Sequence, residues 1–166
     1  MNPDEEESLE EQGVIEHGSI AEVDSGAQIT FDLNPEEFDD NKETNYAAIE
    51  IPGMSHPKLQ YTGGGERPLS FTAYLHYGAT EDVPGAIRQL QAWQYAEYSN
   101  GRLNSPPPHL LVVIGDTWPD EEWVLRSCSV KRKRFDKSLN CIYAEVDLEF
   151  LQFIDESVDA KDVRGA

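Results

Sequence analysis

The stretch that decides the fold covers residues 48–77 and reads AIEIPGMSHPKLQYTGGGERPLSFTAYLHY. Its pattern predicts a strand, a connection fixed by Pro52 and Gly53, a short strand, a glycine turn and a long strand. Glycine adopts backbone conformations that strain other residues, so the three glycines at 63–65 favour a tight reversal. Apolar and polar residues alternate from Leu69 onward, which sends one face of that strand into a core. The stretch is typical of a β scaffold and not of a catalytic site.

Alternating patterns predict further strands on both sides of this stretch. The two longest cover residues 122–135 and 140–153, and their proximity in the chain predicts a hairpin. The second of them alternates apolar with acidic residues, so one face is expected in the core. Shorter strands are predicted at residues 27–33, 46–51 and 110–114.

One helix is predicted after the long alternating strand. It is expected to begin near Glu81, where Thr80 can cap the first turn. Ile87, Leu90 and Trp93 recur at helical spacing and share one face. The helix is therefore expected to cover one side of the β structure.

A net charge of −19 over 166 residues is the most unusual property of the composition. Because a surface this acidic repels nucleic acid and anionic membranes, neither is an expected partner. The charge pattern predicts three parts: an acidic N-terminal arm (1–26), a β domain (27–154) and a flexible polar tail (155–166). Two interpretations of the arm stay open: a solvated segment, or one that folds against a neighbouring subunit through Val14, Ile15 and Ile20.

No residue pattern predicts catalysis or cofactor binding. The four histidines have no second ligand at metal-binding spacing, and the glycines at 63–65 lack the lysine and helix of a phosphate-binding loop. The acidic loop 36–43 lacks the ligand spacing of a calcium-binding EF-hand, so a solvated loop is expected there. The sequence therefore predicts no enzyme, no metal site and no cofactor.

The sequence also predicts where the protein is made. Cys128 and Cys141 are expected to be reduced, because several cross-strand residue pairs would separate them on the long hairpin. The acidic N-terminus does not fit a signal peptide, and no apolar run is long enough to span a bilayer. We expect a soluble protein that is assembled inside a cell.

Four consecutive cations at residues 131–134 interrupt the acidic chain within the long hairpin. Strand alternation is expected to send Lys131 and Lys133 to one face and Arg132 and Arg134 to the other. Two interpretations stay open. The cations pair across the hairpin with the acidic residues of 145–149, or they meet the acidic surface of a neighbouring copy and fix the register between subunits.

Four segments, taken in order, resemble a known family. They are FDLNPEEF (31–38), IEIPGMSHPKLQYTGGGERPLSF (49–71), SPPPHLLVVIG (105–115) and SCSVKRKRFDKSLNCIYAEVDLEFLQF (127–153). Together they resemble the tube-protein N-terminal domain of contractile injection systems, which occurs in baseplate and tube-initiator proteins. Two features depart from the family pattern. Asp136, Lys137 and Ser138 stand where the family carries Pro-Asp-Gly, and the chain is expected to lack the LysM module that often follows.

The resemblance implies a mainly β fold, a tail-tube-like sandwich or barrel with one packed helix and a long hairpin. It implies a structural virion protein of a contractile phage tail or related particle, assembled in the host cytoplasm. Its role would be that of a baseplate tube initiator, an adaptor between the central hub and the tail tube. Copies would form a ring, usually a hexamer, around a channel that the genome can traverse without specific binding. The implied partners are other copies, hub proteins and tube proteins, and no membrane.

In the role that the resemblance implies, the functional residues are those at contacts between subunits. The predicted subunit interface consists of Ile51, Pro52 and Gly53, then Gly63, Gly64, Gly65 and Arg67, and finally Lys131, Arg132, Lys133 and Arg134. Two alternatives remain open. One is a tail tube or tail-completion protein, and the other is a soluble acidic protein that mimics nucleic acid. A mimic would lose its basic partner steeply as salt rises, whereas apolar and main-chain contacts survive moderate salt.

Overall fold

The computed structural model describes residues 16–31, 33–76, 82–155 and 160–164. They form eleven strands and two helices. In chain order these are β1 (Ser19–Glu22), β2 (Gln28–Thr30), β3 (Phe38–Asp40), β4 (Thr44–Ile49), β5 (Lys58–Gly64), β6 (Pro68–His76), α1 (Val83–Ala92), β7 (Glu97–Ser99), β8 (Arg102–Ser105), β9 (Leu110–Val113), β10 (Glu122–Phe135), β11 (Cys141–Gln152) and α2 (Ala160–Val163).

Seven strands form one antiparallel sheet in the order β2-β1-β9-β10-β11-β6-β3. The predicted long hairpin is formed by β10 and β11, and β11 lies between β10 and β6. β4 with β5 and β7 with β8 form two separate hairpins. The prediction of a mainly β fold with a packed helix and a long hairpin is confirmed.

The large sheet curls so that its two ends approach each other. Just after β2, at one end of the strand order, Leu33 forms a β-bridge with Tyr74 of β6, near the other end. The rings of Phe31 and Phe71 meet edge to face across the interior, with 5.8 Å between their centroids. Asn34 supports this crossing because its side-chain oxygen accepts a hydrogen bond from the Gly18 N–H group at 2.8 Å.

One face of the sheet is buried beneath α1. The β6–β11 register sets Ala73 opposite Val146 and Phe71 opposite Leu148, so their side chains share the buried face. Burying one large apolar side chain contributes about 1.5–3 kcal/mol, which is why such columns hold a sheet together. The helix adds four buried side chains to this core: Val83, Ile87, Leu90 and, at its C-terminal cap, Trp93.

Helix α1 begins at Val83 because Asp82 caps it. The Asp82 carboxylate accepts a hydrogen bond from the Gly85 N–H group at 2.9 Å. The predicted cap, Thr80, and the predicted first residue lie outside the described residues. At the other end the Trp93 indole donates to Glu22 Oε2 at 2.9 Å, which ties the helix to β1.

β1 lies within the segment predicted to be an acidic arm. Ile20 is fully buried, and β1 pairs with both β2 and β9. Acidic residues around this short apolar segment favoured an arm, but pairing on both sides outweighs local composition. Residues 1–15, with the predicted anchors Val14 and Ile15, lie outside the described residues. The short helix α2 lies within the tail that was predicted to be flexible.

The predicted glycine reversal is wrong. Gly63 and Gly64 belong to β5 and pair with Asn45 and Thr44 of β4, whereas β6 pairs with β11 and β3. The register shifts between Asn45 and Tyr46, so Thr62 bulges out next to Gly63, whose φ is +153°. Gly65 allows a close approach, because a Cβ atom there would lie 2.8 Å from Glu43 Cβ. The glycines therefore allow β4 and β5 to approach closely and to form a bulge, and they do not make a hairpin turn into β6.

Candidate subunit interface

The β4–β5 hairpin stands apart from the core. Apart from the partly buried Gly63, every residue of both strands is exposed. The connection between them, residues 50–57, is exposed as well. Ile51, Pro52 and Gly53 lie at this tip, where the Met54 N–H group donates to the Ile51 carbonyl at 3.1 Å. The first predicted interface group therefore occupies the exposed tip of the β4–β5 hairpin.

One face of this hairpin is apolar, which the sequence reasoning did not anticipate. The register sets Tyr46 opposite Tyr61 and Ala48 opposite Leu59, and directly paired residues share a face. The two tyrosine rings meet edge to face with 5.9 Å between their centroids. A two-stranded hairpin is marginal in water unless a third strand or another surface covers it. The period-two spacing of these four residues was the available signal.

Arg67, from the second predicted group, is used within its own chain. Its Nε and Nη2 atoms donate to the two oxygens of Asp40 at 2.8 and 2.6 Å. Its Nη1 atom lies 3.2 Å from Glu121, and the guanidinium stacks 5.5 Å from the Trp123 ring centroid. The Trp118 indole adds a 3.0 Å hydrogen bond to Asp40. Only 23% of the Arg67 side chain is exposed, so its predicted contact with a neighbour stays a prediction.

This cluster alters the titration of its members. The hydrogen bond from Arg67 lowers the pKa of Asp40 because it stabilises the carboxylate. The same bond raises the pKa of Arg67. The cluster joins β3 to the chain just before β6 and to the segment before β10. Sequence reasoning missed it because Asp40, Arg67 and Glu121 are far apart in the chain.

Of the third group, residues 131–134, the two lysines pair across the long hairpin, as one of the two interpretations predicted. Lys131 Nζ lies 3.0 Å from Asp147 Oδ2, and Lys133 Nζ lies 2.6 Å from Glu145 Oε1. The hydrogen bond between the last two raises the pKa of Lys133 and lowers that of Glu145. Both lysines are exposed, so each pair contributes little to the free energy of unfolding.

The predicted division of these cations between faces is wrong for Arg134. The pairing shifts between Arg132 and Arg134, which makes Lys133 an extra residue in β10. Arg132 still stands opposite Ala144, on the buried face of β11. Arg134 stands opposite Tyr143, on the other face, and its guanidinium carbon lies 5.7 Å from the centroid of that ring. A bulge changes which face the following residue occupies, and strand alternation alone cannot locate one.

No group of three or more His, Cys, Asp or Glu residues in the described part of the chain is placed to hold a metal ion. Cys128 and Cys141 are free, and burial raises the pKa of the Cys128 thiol to about 11. No helix in the described ranges is long and apolar enough to cross a membrane.

A family model described as "Contractile injection system tube protein" matches residues 15–161. No curated protein matches the chain.

Proposed function

The chain belongs to the contractile injection system tube protein family, and from that premise we propose that it is a baseplate tube initiator. Family membership gives it a structural, tail-tube-related role and points to a protein without catalytic activity. In the proposed role, copies form a ring, expected to be sixfold, that joins the central hub to the tail tube. The ring is assembled in the host cytoplasm and becomes part of the virion.

The observation that carries this proposal is the uncovered apolar face of the β4–β5 hairpin, formed by Tyr46, Ala48, Leu59 and Tyr61. A hairpin that buries none of its own apolar side chains gains from a partner that covers them. Within an assembled ring, an adjacent subunit supplies such cover.

The predicted interface residues keep their places in the proposal. The tip with Ile51, Pro52 and Gly53 reaches a neighbouring subunit. The glycines at 63–65 shape the base of the β4–β5 hairpin, from which that tip projects. Arg67 acts indirectly by holding the chain after that base. The cations at 131–134 face the acidic surface of another copy.

The net charge supports a channel rather than a nucleic-acid-binding surface. With a net charge of −19, a ring of these subunits presents a negative field to DNA. Like charges repel, so a genome or another anionic cargo passes without adhering to the wall.

Cryo-electron microscopy of intact particles from the source tests the proposal. A ring of this chain between the hub and the first tube ring is the expected result. Density throughout the tube, or at the end of the tail away from the baseplate, would instead make it a tube or tail-completion protein. Absence from every tail ring would overturn the proposal.

The acidity favours a second candidate, a soluble protein that mimics nucleic acid. Sedimentation velocity with a basic protein such as a histone separates the two. A mimic forms a complex at low salt that dissociates steeply as the salt concentration rises. A ring subunit associates through apolar and main-chain contacts that persist at moderate salt.

A further inference from the structure

Three cations of the long hairpin lie together on the outer face of the large sheet, the face away from the core. Lys131 and Lys133 each reach one carboxylate of β11. Arg134 stands opposite Tyr143 on the same face and forms no ion pair within the described residues. An ammonium group has three N–H donors, so both lysines keep donors for a further anion. These three residues form the cationic patch.

A row of paired residues crosses the outer face from the cationic patch toward the start of the described chain. In order, the row consists of Lys131, Glu145, Tyr74 and Leu33. Directly paired residues share a face, and Tyr74 and Glu145 alternate with buried neighbours, so the row faces outward. Neighbouring strands lie about 4.8 Å apart, so the two ends of the row are about 14 Å apart.

Asn34 holds the first described residue beside the far end of this row. Its side-chain N–H group donates to the Glu16 carbonyl at 2.8 Å, and its side-chain oxygen accepts from the Gly18 N–H group, also at 2.8 Å. Asn34 directly follows Leu33, which is 57% exposed. The chain that precedes Glu16 is therefore attached to the sheet next to an uncovered apolar side chain.

The sequence before Glu16 is complementary to the row. Residues 1–15 contain six Asp or Glu residues and no Lys or Arg. Val and Ile at 14–15 come directly before Glu16, and two Glu residues at 10–11 come five and six residues before it. Five or six residues of extended chain span about 16–20 Å, which is enough to cross the row. The order along the segment, acidic then apolar, matches the order across the row, cationic then apolar.

We propose that residues 1–15 dock across the outer face of their own chain. The apolar residues 14–15 contact the end of the row formed by Leu33 and Tyr74, and the acidic residues 10–11 contact the cationic patch. Two terms favour this contact: cover for exposed apolar surface, and pairing of carboxylates with cations in a chain that has few cations. The competing explanation is that like charges keep the segment in solvent.

The docked segment covers cations that the proposed ring assigns to a neighbouring copy. It would have to leave the cationic patch before that contact forms, so it acts as a reversible cover of part of the candidate interface. The docking itself does not depend on the ring. Residues 1–14 precede the part of the chain that matches the tube protein family, so the contact is a property of this extension.

Paramagnetic relaxation in the full chain tests the contact. A nitroxide spin label is attached to the variant Ser8→Cys, and NMR measures the broadening of its ¹⁵N–H signals. Cys141 is buried and burial raises the pKa of the Cys128 thiol to about 11, so the native thiols react slowly at neutral pH. Signals of residues 131–134 are expected to broaden severalfold more than those of β9, which lies beside β1 and thus near Glu16. The unsubstituted chain, treated with the same reagent, is the control for labelling of native thiols.

Charge dependence distinguishes docking from a segment that stays in solvent. At about 1 M salt the Debye length falls to about 3 Å, so broadening at the cationic patch should drop severalfold. Arg134→Gln should weaken it as well, whereas Arg102→Gln makes the same charge change on a separate hairpin and should not. The same spectra show whether each variant is folded. Equal broadening of β9 and the patch, or broadening that neither salt nor Arg134→Gln reduces, would overturn the proposal.

A mixture separates docking within one chain from binding between copies. Chains that carry ¹⁵N but no spin label are mixed with spin-labelled chains of natural isotope content. Residues 131–134 of the ¹⁵N chains are expected to show little broadening. Broadening as strong as that within one spin-labelled chain would show that the segment binds another copy, and it would overturn the contact proposed here. Because the test uses the isolated protein, its failure leaves the proposed function standing.

Discussion

Arg67 and Asp40 form a bidentate pair, with Nη2 2.6 Å from Oδ2 and Nε 2.8 Å from Oδ1. The pair fastens a strand of only three residues, β3, to the chain where β6 begins. Both side chains are mostly shielded from solvent, at 23% and 28% exposure. Short edge strands have few backbone hydrogen bonds of their own, so this pair adds to the packing of Phe38 on Phe71 and Trp118 in holding β3 at the end of the sheet.

Replacing Arg67 tests this role. Arg67→Ala is expected to lower the free energy of unfolding by about 2–3 kcal/mol, because hydrogen bonds to a shielded charge are lost. Arg67→Lys keeps the charge but cannot form the two parallel hydrogen bonds of the guanidinium group, so it should recover only part of that loss. The matched control is Arg126→Ala, whose ion pairs are exposed and should contribute less than about 1 kcal/mol. Urea unfolding followed by tryptophan fluorescence gives the three values; equal losses for Arg67→Ala and Arg126→Ala would refute the special role.

The same pair predicts a pH dependence. The folded pKa of Asp40 lies below its ordinary value of 3.8, with the Arg67 hydrogen bond as the largest cause. Its contribution to folding is complete above that ordinary value and is lost as the pH falls through the folded pKa. The difference in unfolding free energy between the wild type and Asp40→Asn should be constant above about pH 5 and shrink below about pH 4. A difference that grows on acidification would contradict the lowered pKa.

Burial of Ile20 makes β1 part of the domain. Ile20→Ala should lower the free energy of unfolding by about 2–5 kcal/mol, because a fully buried side chain leaves a cavity. Val23 follows β1 and is 41% exposed, so Val23→Ala is the control and should cost less than about 1 kcal/mol. Thermal and urea unfolding of the two variants decide between a core strand and a solvated arm. Equal, small losses would favour the arm.

The turn between β10 and β11 stores backbone strain at Leu139, whose φ is +64°. Its side chain is 81% exposed, so Leu139→Gly removes strain without removing packing. This change should raise the free energy of unfolding by about 1 kcal/mol. Lys137 lies in the same turn outside the left-handed region, and Lys137→Gly should instead lower it. Changes of the same sign in the two variants would show that strain at Leu139 is unimportant.

The apolar face of the β4–β5 hairpin predicts an assembly defect without a folding defect. Leu59→Ser and Tyr61→Ser should leave the free energy of unfolding within about 0.5 kcal/mol, because neither side chain packs on the core. Their incorporation into particles should fall severalfold. Gln60→Ser lies between them on the other face and is the control. Normal incorporation of both apolar variants would refute a role for this face.

Much of the fold was predictable because two long patterns alternate without interruption. β6 and β11 each repeat apolar residues at every second position for nearly their whole length, and such a pattern fits only a strand with one buried face. β1 and β3 were missed for a different reason. Each is short and surrounded by acids, so its strand conformation comes from pairing with segments distant in sequence.

The candidate interface stays a prediction, and sequence reasoning could select its segments but not describe their surfaces. The tip at Ile51 and the cations at 131–134 were selected because proline, glycine and clustered charge are visible in sequence. The face occupied by Arg134 was not, because it depends on a bulge at Lys133. The assignment of Arg67 to an internal cluster required carboxylates from two other segments, Asp40 and Glu121, which only the folded chain brings together.

The central position of β11 governs when the sheet can exist during synthesis. β6 has left the ribosome long before β11 is made, and until then the side of β6 that β11 will occupy has no partner in the sheet. β10 likewise lacks its long partner. Pairing across such sequence separations is slow and leaves strand edges exposed. The seven-stranded sheet therefore cannot form until β11, which ends at Gln152, has been made.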